Sequence, residues 1–493
     1  MPEHLKALVV ILALATAVFA FARSPACALA MAQDDYDRRR HLWIAITLIA
    51  FLSHNFWVYI ALTGALLLWA ARREKNMVAL FFFLFFALPR ISSEIPGFGG
   101  IRYFFTIDYF RLLSLAVLLP AAISLHRQAA AAGSRATATD KILAAYIILN
   151  AILQFEYIPL TGTLRGALVV VTDVVLPYYV VSRSLKDLQS FRDALMSLAV
   201  GAMILAAISI FEMARHWLLY SKLDTALGIL WEYGDYLDRD DSLRASATSG
   251  QPIVLGYIMV VAFGFLLYLR RTIPSLALWL AGLALIVAGE VTPLSRGPWI
   301  GFVAVLLAFL ALGHKAGTRL GTLALVGLLA SPLLFTTAIG EKIIDLLPFV
   351  GTIETGNIGY RQRLFELSLQ IIGYSPLFGM PDFLIYLEEL RQGQGIIDIV
   401  NSYLIIALNS GLVGLSLFLS FFGVIMVGIF KRMRSLEKTD EQHELGQALI
   451  AVLLGILVTI TTVSPISFIS VVYWAAAGLG LAYVRLPKST AKA

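Results

Sequence analysis

Apolar and polar positions along this chain alternate in long blocks rather than residue by residue. Runs of roughly 20 apolar residues, the length that crosses a hydrocarbon core as a helix, recur from end to end. Scanning with that length gives about 14 candidate spans, within a range of 12–15. They lie near 5–22, 42–70, 77–92, 105–125, 141–156, 166–182, 194–212, 252–269, 274–290, 298–313, 319–338, 402–430, 447–463 and 466–485. The second block is overlong and holds Ser53, His54 and Asn55, so it reads as one span or as two short helices. Two polar-rich stretches interrupt the pattern, 213–251 and 339–401. The larger shows helical periodicity around "RQRLFELSLQII", which predicts an ordered, partly helical cap on the membrane surface. The pattern predicts an all-α polytopic membrane protein, one membrane domain over 1–493 with two large loops on one side. The start, "MPEHLKALVVILALATAVFAFARSPACALA", has the layout of a signal peptide, yet it is expected to form the first span because more spans follow.

Composition confirms lipid as the solvent. The chain has 493 residues, is 59% hydrophobic and 14% charged, and its mean hydropathy is +0.82. A soluble domain carries about a quarter charged residues. The net charge of +6 fits basic cytoplasmic loops rather than nucleic-acid binding, so the expected surroundings are membrane lipid and no nucleic acid. Cys27 is the single cysteine, which excludes an intramolecular disulfide and thiolate metal clusters. Seven scattered histidines show no metal-binding spacing, and no metal or other cofactor is expected.

Lys and Arg in short loops orient the chain. The segments 71–75, 126–135, 182–192, 270–271, 314–319 and 431–438 and the tail from Arg485 fall on alternate connections, which are assigned to the cytoplasm. With an even span count both termini are expected there too. "DRRR" at 37–40 then faces outward against the rule, unless the second block splits.

The remaining arginines reverse that bias. Arg111 (near Asp108), Arg165 (two turns before Asp173), Arg244, Arg296, Arg361 and Arg363 all fall on the expected outer side. An arginine at membrane depth costs about 3 kcal/mol on insertion scales, so six on one side call for a reason. Guanidinium forks bind phosphate oxygens bidentately and stay charged at physiological pH. A diphosphate ligand would use several. Arg296 lies in "TPLSRGPWIGF" (292–302), where Gly297 permits close backbone approach, Pro298 suits a first helical turn, and the helix start favours an anion.

Four stretches carry a resemblance to the O-antigen ligase and Wzy-type polymerase superfamily of bacterial envelope enzymes. "TPLSRGPWIGF" looks like that family's Ser-Arg-Gly segment, and "RQRLFELSLQIIGYSPLFGMP" (361–381) is similar to its loop pattern. "DIVNSYLIIALNSGLVGLSLF" (398–418) and "LRASATSGQPIVLGYI" (243–258) resemble the segments that follow each large loop. The resemblance spans residues 40–480. It implies a multi-pass protein of the bacterial inner membrane that takes an undecaprenyl-diphosphate-linked oligosaccharide at the periplasmic face. The glycan would pass to a hydroxyl of an acceptor glycan or glycolipid, with inversion and without a metal. It also implies that Arg296 and either Arg361 or Arg363 hold the diphosphate; Arg244, Arg165 and Arg111, from the outer cluster, and Tyr360 are expected as further ligands. The family's loop histidine is missing: this chain reads Val400-Asn401 where His-Asn is common, and Gln251 in the earlier segment. Asp398 is the candidate to replace it, with neighbouring Asn401 as a second catalytic candidate and Glu354, Asp382, Glu388 and Glu389 behind them; Asp398 also reads as a helix cap. Polymerase and ligase stay open, with polymerase or exopolysaccharide assembly favoured. A transporter or flippase is the alternative, although two similar halves are not evident.

Overall fold

The computed structural model describes residues 1–133, 135–229, 236–239, 242–336, 355–391 and 395–487. Helices α1 (Glu3–Leu29), α2 (Gln33–Leu52), α3 (Phe56–Ala71) and the short α4 (Met77–Leu84) open the chain. An antiparallel hairpin, β1 (Ser93–Pro96) with β2 (Tyr103–Ile107), leads into α5 (Tyr109–Ala131), α6 (Ala138–Phe155), α7 (Leu160–Ser184) and α8 (Leu188–Arg215). The first long loop holds the small antiparallel pair β3 (Asp238–Arg239) and β4 (Ser242–Leu243). Then come α9 (Pro252–Leu269), α10 (Leu276–Val291), α11 (Arg296–Leu312) and α12 (Ala316–Thr336). The cap contributes α13 (Thr355–Tyr374) and a 3-10 segment, Phe383–Leu390, before α14 (Ser402–Met433), α15 (Glu441–Thr459) and α16 (Ile469–Arg485). Among the described residues, eight helices are long and apolar enough to cross a membrane, and five shorter apolar helices accompany them.

Successive helices run between two ends of one bundle. The short-connection end is laced by ion pairs. Arg39 on α2 is fully buried and bonds Glu74 (2.9 Å) and Asp193. Arg192 bonds Glu441, which also accepts from the Tyr268 hydroxyl (2.9 Å). Arg183 meets Asp140 at 2.8 Å. Glu74 lies between α3 and α4: burial alone would raise its pKa, but the Arg39 and Arg38 guanidiniums hold it below its ordinary value. The other end, the loop end, carries both long loops.

Three expectations change here. The overlong second block is two helices, because Asn55 caps α3 by accepting from the N–H of Trp57 and Val58. "DRRR" therefore sits at the short-connection end, where Arg38 and Arg39 meet Glu74, and no outward exception is needed. The block expected over 77–92 is helical only to Leu84; the chain beyond it is irregular up to β1. The start of α1 and the end of α16 lie at opposite ends of the bundle. Glu3 accepts from the Trp217 indole just past α8 at the loop end, while Arg485 donates to the Ser182 carbonyl at the other.

Small residues set the closest helix contacts, as expected where lipid offers no hydrophobic drive between helices. A side chain at Gly301 of α11 would collide with Thr459 of α15, and one at Gly256 of α9 with Pro298. At Gly297 the close neighbour is Thr462, so this glycine lets the start of α11 approach the chain that follows α15. α14 breaks at Ser410 and Gly411, the latter at φ 63. Segment 376–380 of the cap fills the break: Leu412 N–H donates to the Pro376 carbonyl (2.8 Å), Val413 N–H to Leu377 (3.1 Å), and Met380 N–H to Leu408 (2.7 Å). Gly379 (φ 71) and Gly411 face each other so closely that a Cβ on either would strike the other segment's backbone.

Candidate functional site

The site is organised by the connector between α15 and α16, residues 460–468. Its backbone and hydroxyls reach the start of α14, the Asp398 segment, the chain before α9 and Arg90, and it lies against the Ser-Arg-Gly turn. Ser402 N–H donates to the Ile460 carbonyl (3.0 Å) and its hydroxyl to Val463 (2.6 Å). Ser464 donates to the Asp398 carboxylate (3.2 Å) and to the Ile399 carbonyl (2.8 Å). Ser467, at φ 49, donates to the Ser249 carbonyl (3.1 Å) and accepts from Arg90 (2.8 Å). Thr462 lies against Gly297. Thr462 and Ser464 are two residues apart, a separation of about 7 Å at most. The Ser-Arg-Gly turn and the Asp398 carboxylate therefore flank one short piece of chain.

On one flank, three arginines from different segments gather at the turn 293–296. Arg296 is the first residue of α11 and half-buried. Arg244 donates to the Pro293 carbonyl (3.1 Å) and the Ser295 hydroxyl (3.0 Å). Arg239, on β3, donates to the Leu294 carbonyl. Leu294 itself holds a positive φ of 47, a conformation costly for a branched residue, so the turn is over-determined by its surroundings. Glu212, buried at the end of α8, provides part of that support. Its carboxylate accepts from the N–H groups of Leu219 (3.0 Å), Ser246 (3.2 Å) and Ala247 (2.8 Å), and Ala245 N–H reaches Thr292 (3.2 Å). Both ends of the first long loop are thereby pinned beside the turn.

On the other flank, the Tyr360 hydroxyl donates to the Asp398 carbonyl and accepts from its N–H, both at 3.1 Å. The Asp398 residue is exposed. It is not the helix cap: Asn401 caps α14, its side-chain oxygen accepting from Tyr403 and Leu404 N–H. That bond gives Asn401 a structural task at the boundary between Asp398 and α14. Arg363 bridges to Glu389 (2.7 Å), and Arg391 to Glu388, so these pairs hold the cap together; Arg361 is exposed on α13. Asp382 directly precedes the 3-10 segment, and Glu354 lies outside the described residues.

Arg111 and Arg165 belong to a separate cluster. Arg111 donates to the Thr106 carbonyl (2.9 Å) and lies 3.8 Å from Asp173. Arg165 stacks 3.6 Å over the Tyr103 ring and donates to the Tyr103 and Phe104 carbonyls. Their centre is Arg90, which sequence reasoning missed. It joins Asp108 (3.1 Å), Asp173 (3.0 Å) and the Ser467 carbonyl. Arg90 and Arg111 against Asp108 and Asp173 make a charge-balanced keystone, so the structure places Arg111 in that keystone and Arg165 on the hairpin carbonyls, away from the turn that carries Arg296. The signal for Arg90 was present, as a charge closing the apolar run "FFFLFFALPR". Arg239 carried no such mark. Among the described residues no group of His, Cys, Asp and Glu could hold a metal ion. Compared with known proteins, the chain matches no family model, and no curated protein is detectably similar to it.

Proposed function

We propose that the protein is an integral membrane glycosyltransferase that uses an undecaprenyl-diphosphate-linked glycan at the periplasmic face of the bacterial inner membrane. The reading is that of a Wzy-type polysaccharide polymerase or an O-antigen ligase. The observation that carries it is the meeting of Arg239, Arg244 and Arg296 at the start of α11, across the 462–464 chain from Asp398. Guanidiniums converging on a helix N-terminus suit a diphosphate. The short-connection end collects the basic connections and is assigned to the cytoplasm, so the loop end faces the periplasm. Opposite termini then favour an odd number of crossings, fifteen when α2, α3 and the stretch after Asn76 are each counted.

In this reading the acceptor hydroxyl oxygen bonds to the anomeric carbon of the donor as the bond from that carbon to the phosphate oxygen breaks. The lipid diphosphate leaves with the electron pair, stabilised by the arginines of the turn. The proton goes to the Asp398 carboxylate, held in place by Ser464 and by the Tyr360 clamp on its backbone. Purified protein in nanodiscs, given lipid-diphosphate oligosaccharide and acceptor, should make a new glycosidic bond and release lipid diphosphate. Relocation of the unchanged donor across the bilayer would instead favour a flippase.

A further inference from the structure

The cap presents an apolar surface that the bundle does not cover. Phe365 and Leu369, one turn apart on α13, are exposed, as are Tyr374, Leu377, Phe378, Leu384, Ile385 and Tyr386. The neighbouring side of α13 carries Gln362, Glu366 and Gln370 at the same spacing, also exposed. The helix thus has three sectors: one buried on Leu364, Ser368 and Ile371, one apolar and open, one polar and open. That layout belongs to a helix lying in a membrane interface.

The break in α14 fixes the level at which this surface sits. From Leu412 to Phe430 the helix holds 19 residues without a charge, before Lys431 and Arg432. At 1.5 Å per residue that is about 28 Å, close to the thickness of a hydrocarbon core. The break at Ser410–Gly411 therefore marks the outer edge of the hydrocarbon. Pro376, Leu377 and Met380 are bonded into that break through the backbone, so the cap segment that carries Leu377 and Phe378 is held at the same edge. The open apolar sector is also continuous with side chains that face lipid on spanning helices: Leu412 and Leu419 on α14 are exposed, as are Ile148, Ile152 and Phe155 on α6.

We infer that the cap is seated in the outer leaflet, with Phe365, Leu369, Phe378, Leu384 and Ile385 against lipid acyl chains and the Gln362–Glu366–Gln370 side toward water. The backbone lock between Gly379 and Gly411 keeps it at that depth, and the seat does not depend on the activity proposed above.

Spin labels on single cysteines test this in a Cys27→Ala background, with the full chain in nanodiscs of phosphatidylethanolamine and phosphatidylglycerol. Labels at Phe378→Cys, Ile385→Cys and Leu369→Cys should be relaxed more by oxygen than by a water-soluble nickel chelate, by at least threefold. Labels at Glu366→Cys and Gln370→Cys should show the reverse order. Nickel-dominated relaxation at all five positions would overturn the seat. So would protection of Phe378→Cys and Ile385→Cys from both reagents together with disulfide-linked dimers, since a second copy would then be the occupant. A Gly411→Val variant should shift the Phe378→Cys label toward the nickel side; if a folded variant leaves it unchanged, the lock does not set the depth.

Discussion

The two ends of the bundle use arginine differently. At the short-connection end Arg39, Arg192, Arg183 and Arg271 each meet a carboxylate from another helix, and the pairs tie the bundle together. At the loop end Arg239 and Arg244 converge on the carbonyl and hydroxyl oxygens of a turn that already holds Arg296. The first arrangement ties helices together pair by pair. The second gathers guanidiniums from three segments at one helix start. The same residue type therefore acts as a tie at one end and as a collector at the other, and losing it should have different consequences. The Arg90 keystone shows that the loop end has a tie of its own, which makes the gathering at the turn the distinctive feature.

The sharpest contrast comes from removing one arginine at each end. Arg39→Met leaves buried Asp193 without its guanidinium and Glu74 with Arg38 alone, a loss of about 3–5 kcal/mol by the usual cost of breaking a buried pair. Thermal unfolding in detergent should report it as a clear drop in midpoint, while activity per folded molecule is retained. Arg296→Ala should behave in the opposite way. On the proposed reading, losing one stabilising group for the departing diphosphate should lower turnover by about 100–1,000-fold, with a smaller change in the unfolding midpoint than Arg39→Met gives. If Arg296→Ala unfolds the protein while Arg39→Met spares it, the contrast between the ends is reversed.

Smaller effects separate packing from chemistry at the loop end. Gly301→Val drives a branched side chain into Thr459 and should destabilise by about 1–3 kcal/mol, seen as lower yield of monodisperse protein. Asn401→Ala removes a cap worth about 1 kcal/mol. A fall in turnover beyond what that stability loss explains would show that Asn401 acts in catalysis as well as in capping. The smallest effect is on pH response. Because Glu74 sits below its ordinary pKa in the fold, its stabilisation is present at neutral pH and is lost as the pH falls through and below the usual carboxylate range. Glu74→Gln should flatten the acid side of a stability profile relative to wild type.

Block hydropathy made the helical class and the loop-rich end readable, because span length is a local property of the chain. All six outer arginines named from sequence lie at that end. Sequence did not reveal which of them work together, since that depends on contacts between distant segments: Arg90 meets Ser467 across 377 positions. The connector "TTVSPISF" fell mostly inside the last two candidate spans, yet it joins the turn, the cap boundary and the keystone. The break in α14 was equally hidden, because "LNSGLVG" sits inside an apolar run and a single glycine does not announce a kink. It becomes legible only with "PLFGM" docked against it.

The central claim is that the turn carrying Arg296 binds the diphosphate of a lipid-linked glycan, and equilibrium binding tests it most directly. Purified wild-type protein and Arg296→Ala would be titrated with a fluorescent undecaprenyl-diphosphate oligosaccharide in nanodiscs, with Arg39→Met as the control from the other end. The account predicts saturable binding to wild type and to folded Arg39→Met, weakened at least tenfold in Arg296→Ala. Equal affinity in all three proteins would contradict it.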